Sequence, residues 1–147
     1  MKSKTQHILL ADDDIDDCNF FRDALETLPL STKLTTVHDG VQLMEYLLKN
    51  PVQLPNVLFL DINMPRMNGF ECLAEIRKNV QLRDLPVVML STCKSQDQIN
   101  IVFKSGAHIY VRKPDNFDQL ARVIQNALPL AAENIASNGK LNYILNA

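Results

Sequence analysis

No extended run of lysine and arginine occurs anywhere in the 147 residues, and the formal net charge is −2. A dedicated nucleic-acid surface needs a clustered basic face to neutralise phosphates, so that class is excluded. Long apolar runs are missing as well. The opening Met1-Lys2-Ser3-Lys4 resembles the basic start of an export signal, but the run that follows, Ile8-Leu9-Leu10-Ala11, stops after four residues on three aspartates. Neither export nor membrane spanning is expected, and a cytoplasmic protein is. Cysteine is sparse: Cys18, Cys72 and Cys93 are odd in number and share no metal-like spacing, which points to reduced thiols. There is no internal repeat, no low-complexity segment and no length for a second domain, so the 46% hydrophobic content fits one core.

What the chain does contain is a set of short apolar runs that end on chemically active residues. Val57-Leu58-Phe59-Leu60 stops on Asp61 and leads into Asn63-Met64-Pro65; Ile8-Leu9-Leu10-Ala11 stops on Asp12-Asp13-Asp14; two more runs end on Ser91-Thr92 and near Lys113-Pro114. Between them lie stretches of helical period, and this alternation predicts an α/β fold with a parallel sheet. Five strands (about 7–11, 34–37, 57–61, 86–91 and 108–112) alternate with five helices. Cys18, Phe21, Leu25 and Leu28 form the inward stripe of a helix over about 15–28, which Pro29 helps to close. A second helix opens at Asp39-Gly40 and ends at Asn50-Pro51; a third runs from Gly69 to about Lys78. A fourth, about 96–104, is stopped by Gly106, and a fifth starts near Asp115-Asn116 with Phe117, Leu120, Ile124 and Leu128 on one face. Ile101 and Val123 fall off these stripes and are candidate partner contacts. In a parallel sheet the strand C-termini open onto one crevice, so the acids, the hydroxyl and the lysine are expected to meet there.

Residues 1–128 account for this domain, and 129–147 read as an extension that is no independent domain. Pro129 is placed to open a short extra helix through Leu130, Ala131, Ala132, Ile135 and Ala136, ending at Asn138-Gly139. Leu141, Tyr143 and Leu145 then alternate, which predicts an extended tail packed on the domain in preference to exchange with a second subunit; a homodimer is left open.

Crowded acids carry their own requirement. Two carboxylates about 4 Å apart repel by roughly 4 kcal/mol at an effective dielectric of 20, so three in one crevice need a cation or a shared proton. Asp14 is read as the cap of the first helix, with Asp16 and Asp17 in its first turn, where acids oppose the positive helix end. Ser91 and Thr92 are rival hydroxyls, and register against Lys113 favours Ser91. His7, His38 and His108 are dispersed and are read as strand-flanking residues, neither metal ligands nor phosphodonors.

Four blocks in this order, Ile8-Leu9-Leu10-Ala11-Asp12-Asp13-Asp14, Leu60-Asp61-Ile62-Asn63-Met64-Pro65-Arg66-Met67-Asn68-Gly69, Leu85-Pro86-Val87-Val88-Met89-Leu90-Ser91 and Gly106-Ala107 leading to Tyr110-Val111-Arg112-Lys113-Pro114, resemble the receiver domain of two-component response regulators. The match covers about residues 7–128 and looks most like a stand-alone receiver of the chemotaxis-response-regulator type. The resemblance implies a flavodoxin-like, doubly wound, five-stranded parallel sheet of order 2-1-3-4-5. It implies phosphorylation of Asp61 by a histidine kinase or phosphotransfer protein. It also implies Mg²⁺ as cofactor, with Asp13 and Asp61 as direct ligands, Asp12 largely through water and the Asn63 backbone carbonyl. Lys113 would supply charge to the phosphoryl oxygens and Ser91 a hydroxyl donor. Ser91 and Tyr110 would form the switch that reshapes the face of helix four, strand five and helix five. In this family the Lys-Pro bond is typically cis, although here Asp115 follows where an aromatic or apolar residue is common. Asn63 and Cys93 occupy positions at which family members tune dephosphorylation.

Output by contact with a downstream protein is therefore expected, and neither nucleic acid nor membrane is a partner. The resemblance implies a phosphoacceptor that takes part in its own phosphorylation and dephosphorylation, not an enzyme on a separate substrate. A switch, a phosphorelay intermediate and a phosphate sink all use the same crevice and stay open. A haloacid-dehalogenase-type phosphatase, which also combines a nucleophilic Asp with Ser/Thr, Lys and Mg²⁺-binding acids, is separated by element order. That type begins with its nucleophilic strand and carries a second Asp two residues on, where this chain has Asn63.

Overall fold

A computed structural model describes residues 5–49, 52–92, 96–107, 109–114, 116–136 and 143–145. The chain alternates β1 (Gln6–Ala11), α1 (Ile15–Glu26), β2 (Thr32–Val37), α2 (Gly40–Lys49), β3 (Val57–Asp61), α3 (Gly69–Lys78), β4 (Val87–Ser91), α4 (Gln96–Lys104), β5 (Ile109–Arg112), α5 (Phe117–Ala136) and β6 (Tyr143–Leu145). The first five strands lie in the expected order 2-1-3-4-5, all parallel, and β6 adds to the free side of β5.

Period-two alternation divides the strand side chains between two cores. Leu9, Leu58, Leu60, Met89 and Tyr110 pack against Leu43 and Leu47 of α2, Leu73 and Ile76 of α3, and Ile99 and Val102 of α4. Ile8, Leu10, Phe59, Val88 and Leu90 face Phe21 and Leu25 of α1 and Leu120, Ile124 and Ala127 of α5 on the other side. Every residue of β3 and β4 is buried, as a central parallel strand covered on both faces requires. Asp61 and Ser91, the last residues of these strands, are thereby delivered to one edge of the sheet.

Three expectations are corrected. Pro129 opens no separate helix: α5 runs through it to Ala136. Proline's fixed φ is compatible with a helix and it removes one N–H, while Ala127, Leu128 and Ala131 remain buried on either side, so the packed stripe outweighs the local defect. Val123 is buried beside Leu120 and Ile124 because the apolar stripe of α5 is broad, so it is no surface contact; Ile101 is exposed. The described residues contain no cis peptide bond, which makes Lys113–Pro114 trans. The extended tail takes a specific form, with Ile109 opposite Tyr143, Tyr110 opposite Ile144 and Val111 opposite Leu145. Without β6, the hydrogen-bonding groups along that side of β5 would be unpaired.

Close backbone approaches hold the loop after β3. The Gly69 N–H donates to the Ile62 carbonyl at 2.8 Å, and a Cβ on Gly69 would sit against the Asp61 carbonyl oxygen and 2.8 Å from Ile62 Cα. A Cβ on Gly40 would likewise meet the Met67 backbone. Gly69→Ala is therefore expected to lower stability by about 2 kcal/mol or more, read as a lower urea midpoint at unchanged slope. An unchanged midpoint would show that the loop can relax away from β3.

Candidate functional site

The C-terminal ends of β1, β3, β4 and β5 converge as anticipated. Asp12 follows β1, fixed by its N–H to the Val37 carbonyl at 3.0 Å, and Asp61 closes β3; both are buried, while Asp13 is exposed. Carboxylate oxygens of Asp12, Asp13 and Asp61 lie within 4.8 Å of one another. The Lys113 ammonium reaches into this group from the end of β5, 2.9 Å from Asp12 Oδ2 and 3.6 Å from Asp61 Oδ2. Its backbone N–H donates to the Ser91 carbonyl at 2.9 Å, which sets the height of the lysine above the sheet. Ser91 is buried at the end of β4, whereas Thr92 is exposed. Tyr110 is fully buried among the residues facing α4.

The supporting shell is local. Asp14 caps α1 as expected, its Oδ1 accepting from the N–H groups of Asp16 at 2.9 Å and Asp17 at 3.1 Å. The Asp14 N–H donates to Asp12 Oδ1 at 3.0 Å, so the helix cap also orients the site carboxylate. Under Asp12, the Cys18 thiol donates to its carbonyl at 3.4 Å, and His38 Nδ1 lies 3.1 Å from the same oxygen. Burial, reinforced by Asp12 and Asp17, pushes the Cys18 thiol up to about 11, in keeping with an inert reduced residue. After β3, Arg66 adopts φ 66°, the Met67 N–H donates to the Pro65 carbonyl at 2.7 Å, and the Arg66 guanidinium pairs with Asp39 at 3.5 Å. This left-handed turn and the Asn68/Glu71 capping box start α3 at Gly69, at the end of the loop that follows the acid strand.

Electrostatics follow from the crowding. Burial raises Asp61 to about 6; Asp12 and Asp13 add to the rise, while Lys113 and the Asn63 backbone hydrogen bond oppose it. Burial alone would lower Lys113, but Asp61, Asp12 and Asp17 together hold its ammonium above the ordinary value. The lysine is thus kept charged and the central acid is left under-compensated. Hard carboxylate oxygens converging from three residues, with one cation among them, fit a small divalent ion, and these same residues would hold it.

Asp17 is the site residue that sequence reasoning placed elsewhere: its Oδ2 lies 3.4 Å from Lys113 Nζ. Its signal was its position one helical turn before Phe21, at the top of the inward stripe of α1. Cys93, His108 and Asp115 lie outside the described residues.

Comparison with known proteins accords with this arrangement. The family model of the response regulator receiver domain matches residues 8–125. The response regulator Rcp1 of a Synechocystis strain is 30% identical over 122 residues, covering 80% of this chain and 83% of that protein. The crystal structure of the phosphorylated cyanobacterial phytochrome response regulator RcpA superposes with a TM-score of 0.77 at 29% identity, covering 94% of this chain and 99% of that one. A Mn²⁺-bound Rcp1 structure gives a TM-score of 0.69 at 25% identity, over 92% and 95% of the two chains. A doubly wound sheet with an acid cluster and a lysine at its C-terminal edge defines a phosphoacceptor class of signalling domain. This chain belongs to the response regulator receiver family. Among the described residues, no helix is long and apolar enough to cross a membrane.

The raised Asp61 value predicts a pH dependence. Its folded value of about 6 exceeds the ordinary 3.8, so between these limits the native state keeps a proton that the unfolded chain has lost. The stabilisation is complete below about pH 4 and is lost as pH rises through about 6. Without divalent cations, wild type is expected to lose on the order of 2–3 kcal/mol relative to Asp61→Asn between pH 4 and 7 in urea unfolding. Parallel profiles for the two proteins would contradict the burial-raised Asp61.

Proposed function

We propose that Asp61 accepts a phosphoryl group from a histidine kinase or a phosphotransfer protein and that the resulting charge switches a protein-binding face. The observation that carries this reading is the convergence of Asp12, Asp13 and Asp61 within 4.8 Å, with Lys113 3.6 Å from the Asp61 carboxylate. Such an arrangement suits phosphoryl transfer, where catalysis consists mostly of positioning and charge stabilisation. An Asp61 oxygen attacks the phosphorus of the phosphohistidine, the P–N bond breaks, and imidazole leaves as an acyl phosphate forms.

Mg²⁺ is the proposed cofactor, held by Asp12, Asp13, Asp61 and the Asn63 carbonyl; when bound it supplies positive charge that neutralises the approaching phosphoryl oxygens. The Mn²⁺-bound form of Rcp1 supports a divalent ion in this family. Lys113 contributes the second positive charge, and the Ser91 hydroxyl, buried at the neighbouring strand end, donates to a phosphoryl oxygen. The phosphorylated state of RcpA, a close structural relative of this chain, supports the phosphoacceptor reading.

Output passes through the face formed by α4, β5 and α5. Ser91 and Tyr110 are the proposed switch pair, with the exposed Ile101 as a contact for a partner protein. Residues 129–147 serve as an extension of the receiver: α5 is lengthened and β6 lines β5 opposite Tyr110. The acid pair preceding the nucleophilic strand, together with Asn63 two residues after Asp61, disfavours a haloacid-dehalogenase-type phosphatase.

Incubation with a small-molecule phosphodonor and Mg²⁺, read by intact mass, is expected to give one phosphoryl adduct that does not form when Mg²⁺ is chelated beforehand and is absent in Asp61→Asn. An adduct that persists in Asp61→Asn would place the acceptor elsewhere.

A further inference from the structure

Lys113 has a third carboxylate partner outside the acid group that fits a metal ion. Its ammonium lies 2.9 Å from Asp12, 3.4 Å from Asp17 and 3.6 Å from Asp61, whereas the convergent oxygens belong to Asp12, Asp13 and Asp61. Asp17 therefore engages the lysine without being drawn to the same cation. We propose that Asp17 is a positioning residue that holds the Lys113 ammonium toward α1 while Asp61 is unphosphorylated and competes with the phosphoryl group for it. This inference rests on the reading of Asp61 as phosphoacceptor.

Several features support a competing anchor. The Asp17 N–H is tied to the Asp14 carboxylate at 3.1 Å, so its side chain is presented from a fixed first helical turn. α1 packs on the α5 side of the sheet, and Asp17 thus pulls on the ammonium from a helix, whereas Asp61 does so from a strand end. A cavity of about 110 Å³ adjoins the pair, walled by Phe20, Phe21, Leu90, Pro114 and Leu120, and leaves the flexible lysine stem room to change partners. A phosphoryl group adds about −1.5 to −2 charge at Asp61, which outcompetes one carboxylate at the edge of the site. The Asp17 side chain is 49% exposed, so the opposing pull is screened and its effect is modest.

The probe is beryllofluoride, a phosphoryl mimic, titrated calorimetrically into the full chain at saturating Mg²⁺, with Mg²⁺ affinity measured separately. Asp17→Asn is expected to bind beryllofluoride about two- to fivefold more tightly, with Mg²⁺ affinity changed by less than about twofold. Asp17→Glu, which keeps the charge and can regain the pair, is expected to bind near the wild-type value. So is Asp16→Asn, which makes the same change in net charge one residue away. Equal beryllofluoride affinity in wild type and Asp17→Asn overturns the inference and leaves the phosphoacceptor reading intact. A gain in Asp16→Asn as large as in Asp17→Asn reduces the effect to bulk charge and overturns it too. Failure of the Mg²⁺-loaded wild type to bind beryllofluoride removes the phosphoacceptor reading and this inference together.

Discussion

Three carboxylates converge on one sheet edge with Lys113 among them, and the geometry around them follows from how that charge is held. Parallel strands bring the acids together because β1 and β3 are neighbours in the sheet, and their register ends Asp12 and Asp61 at the same height. Neither carboxylate can retreat: both are buried, Asp12 is tied to the Asp14 N–H, and the loop after Asp61 is cinched by Gly69. The crevice is thus pre-organised at a cost in stability, visible in Asp61 being pushed up to about 6. Such a site is most comfortable when another positive charge enters it.

Much of this was readable in the sequence because the residues that converge at the sheet edge close, or nearly close, apolar runs. Asp12, Asp61, Ser91 and Lys113 needed only the rule that parallel strands share one C-terminal edge. Asp17 escaped because an acid in a first helical turn already has a sufficient local explanation in the helix dipole. Its contact with Lys113 joins residues 96 apart in sequence, and no local pattern reports such a pair. Pro129 was read as a boundary for the same reason: its local cost is plain, while the burial of Leu128 and Ala131 that offsets it depends on tertiary packing. The tail's alternation did report an extended segment, but pairing with β5 is a statement about the sheet that periodicity alone cannot make.

The same arrangement suggests how a local charge is felt at a distance. Lys113 directly follows β5, the strand that carries Tyr110 on the α4 side and is paired by β4 on one flank and β6 on the other. In the proposed switch, a shift of the lysine toward Asp61 would act on a strand embedded between two others, so the tail strand belongs to the region that would respond. Asp17 and the phosphoryl group would compete for that lysine.

Melting of the wild-type protein across a Mg²⁺ titration at pH 7 tests the crowded-acid account most directly. A cation bound only by the folded acid group stabilises it by mass action, about 2.7 kcal/mol at a hundredfold excess over its dissociation constant. The melting temperature is therefore expected to climb steadily with Mg²⁺ in wild type and to respond far less in Asp13→Asn. A wild-type melting temperature independent of Mg²⁺, or an identical rise in Asp13→Asn, would contradict the claim that these carboxylates form a cation site.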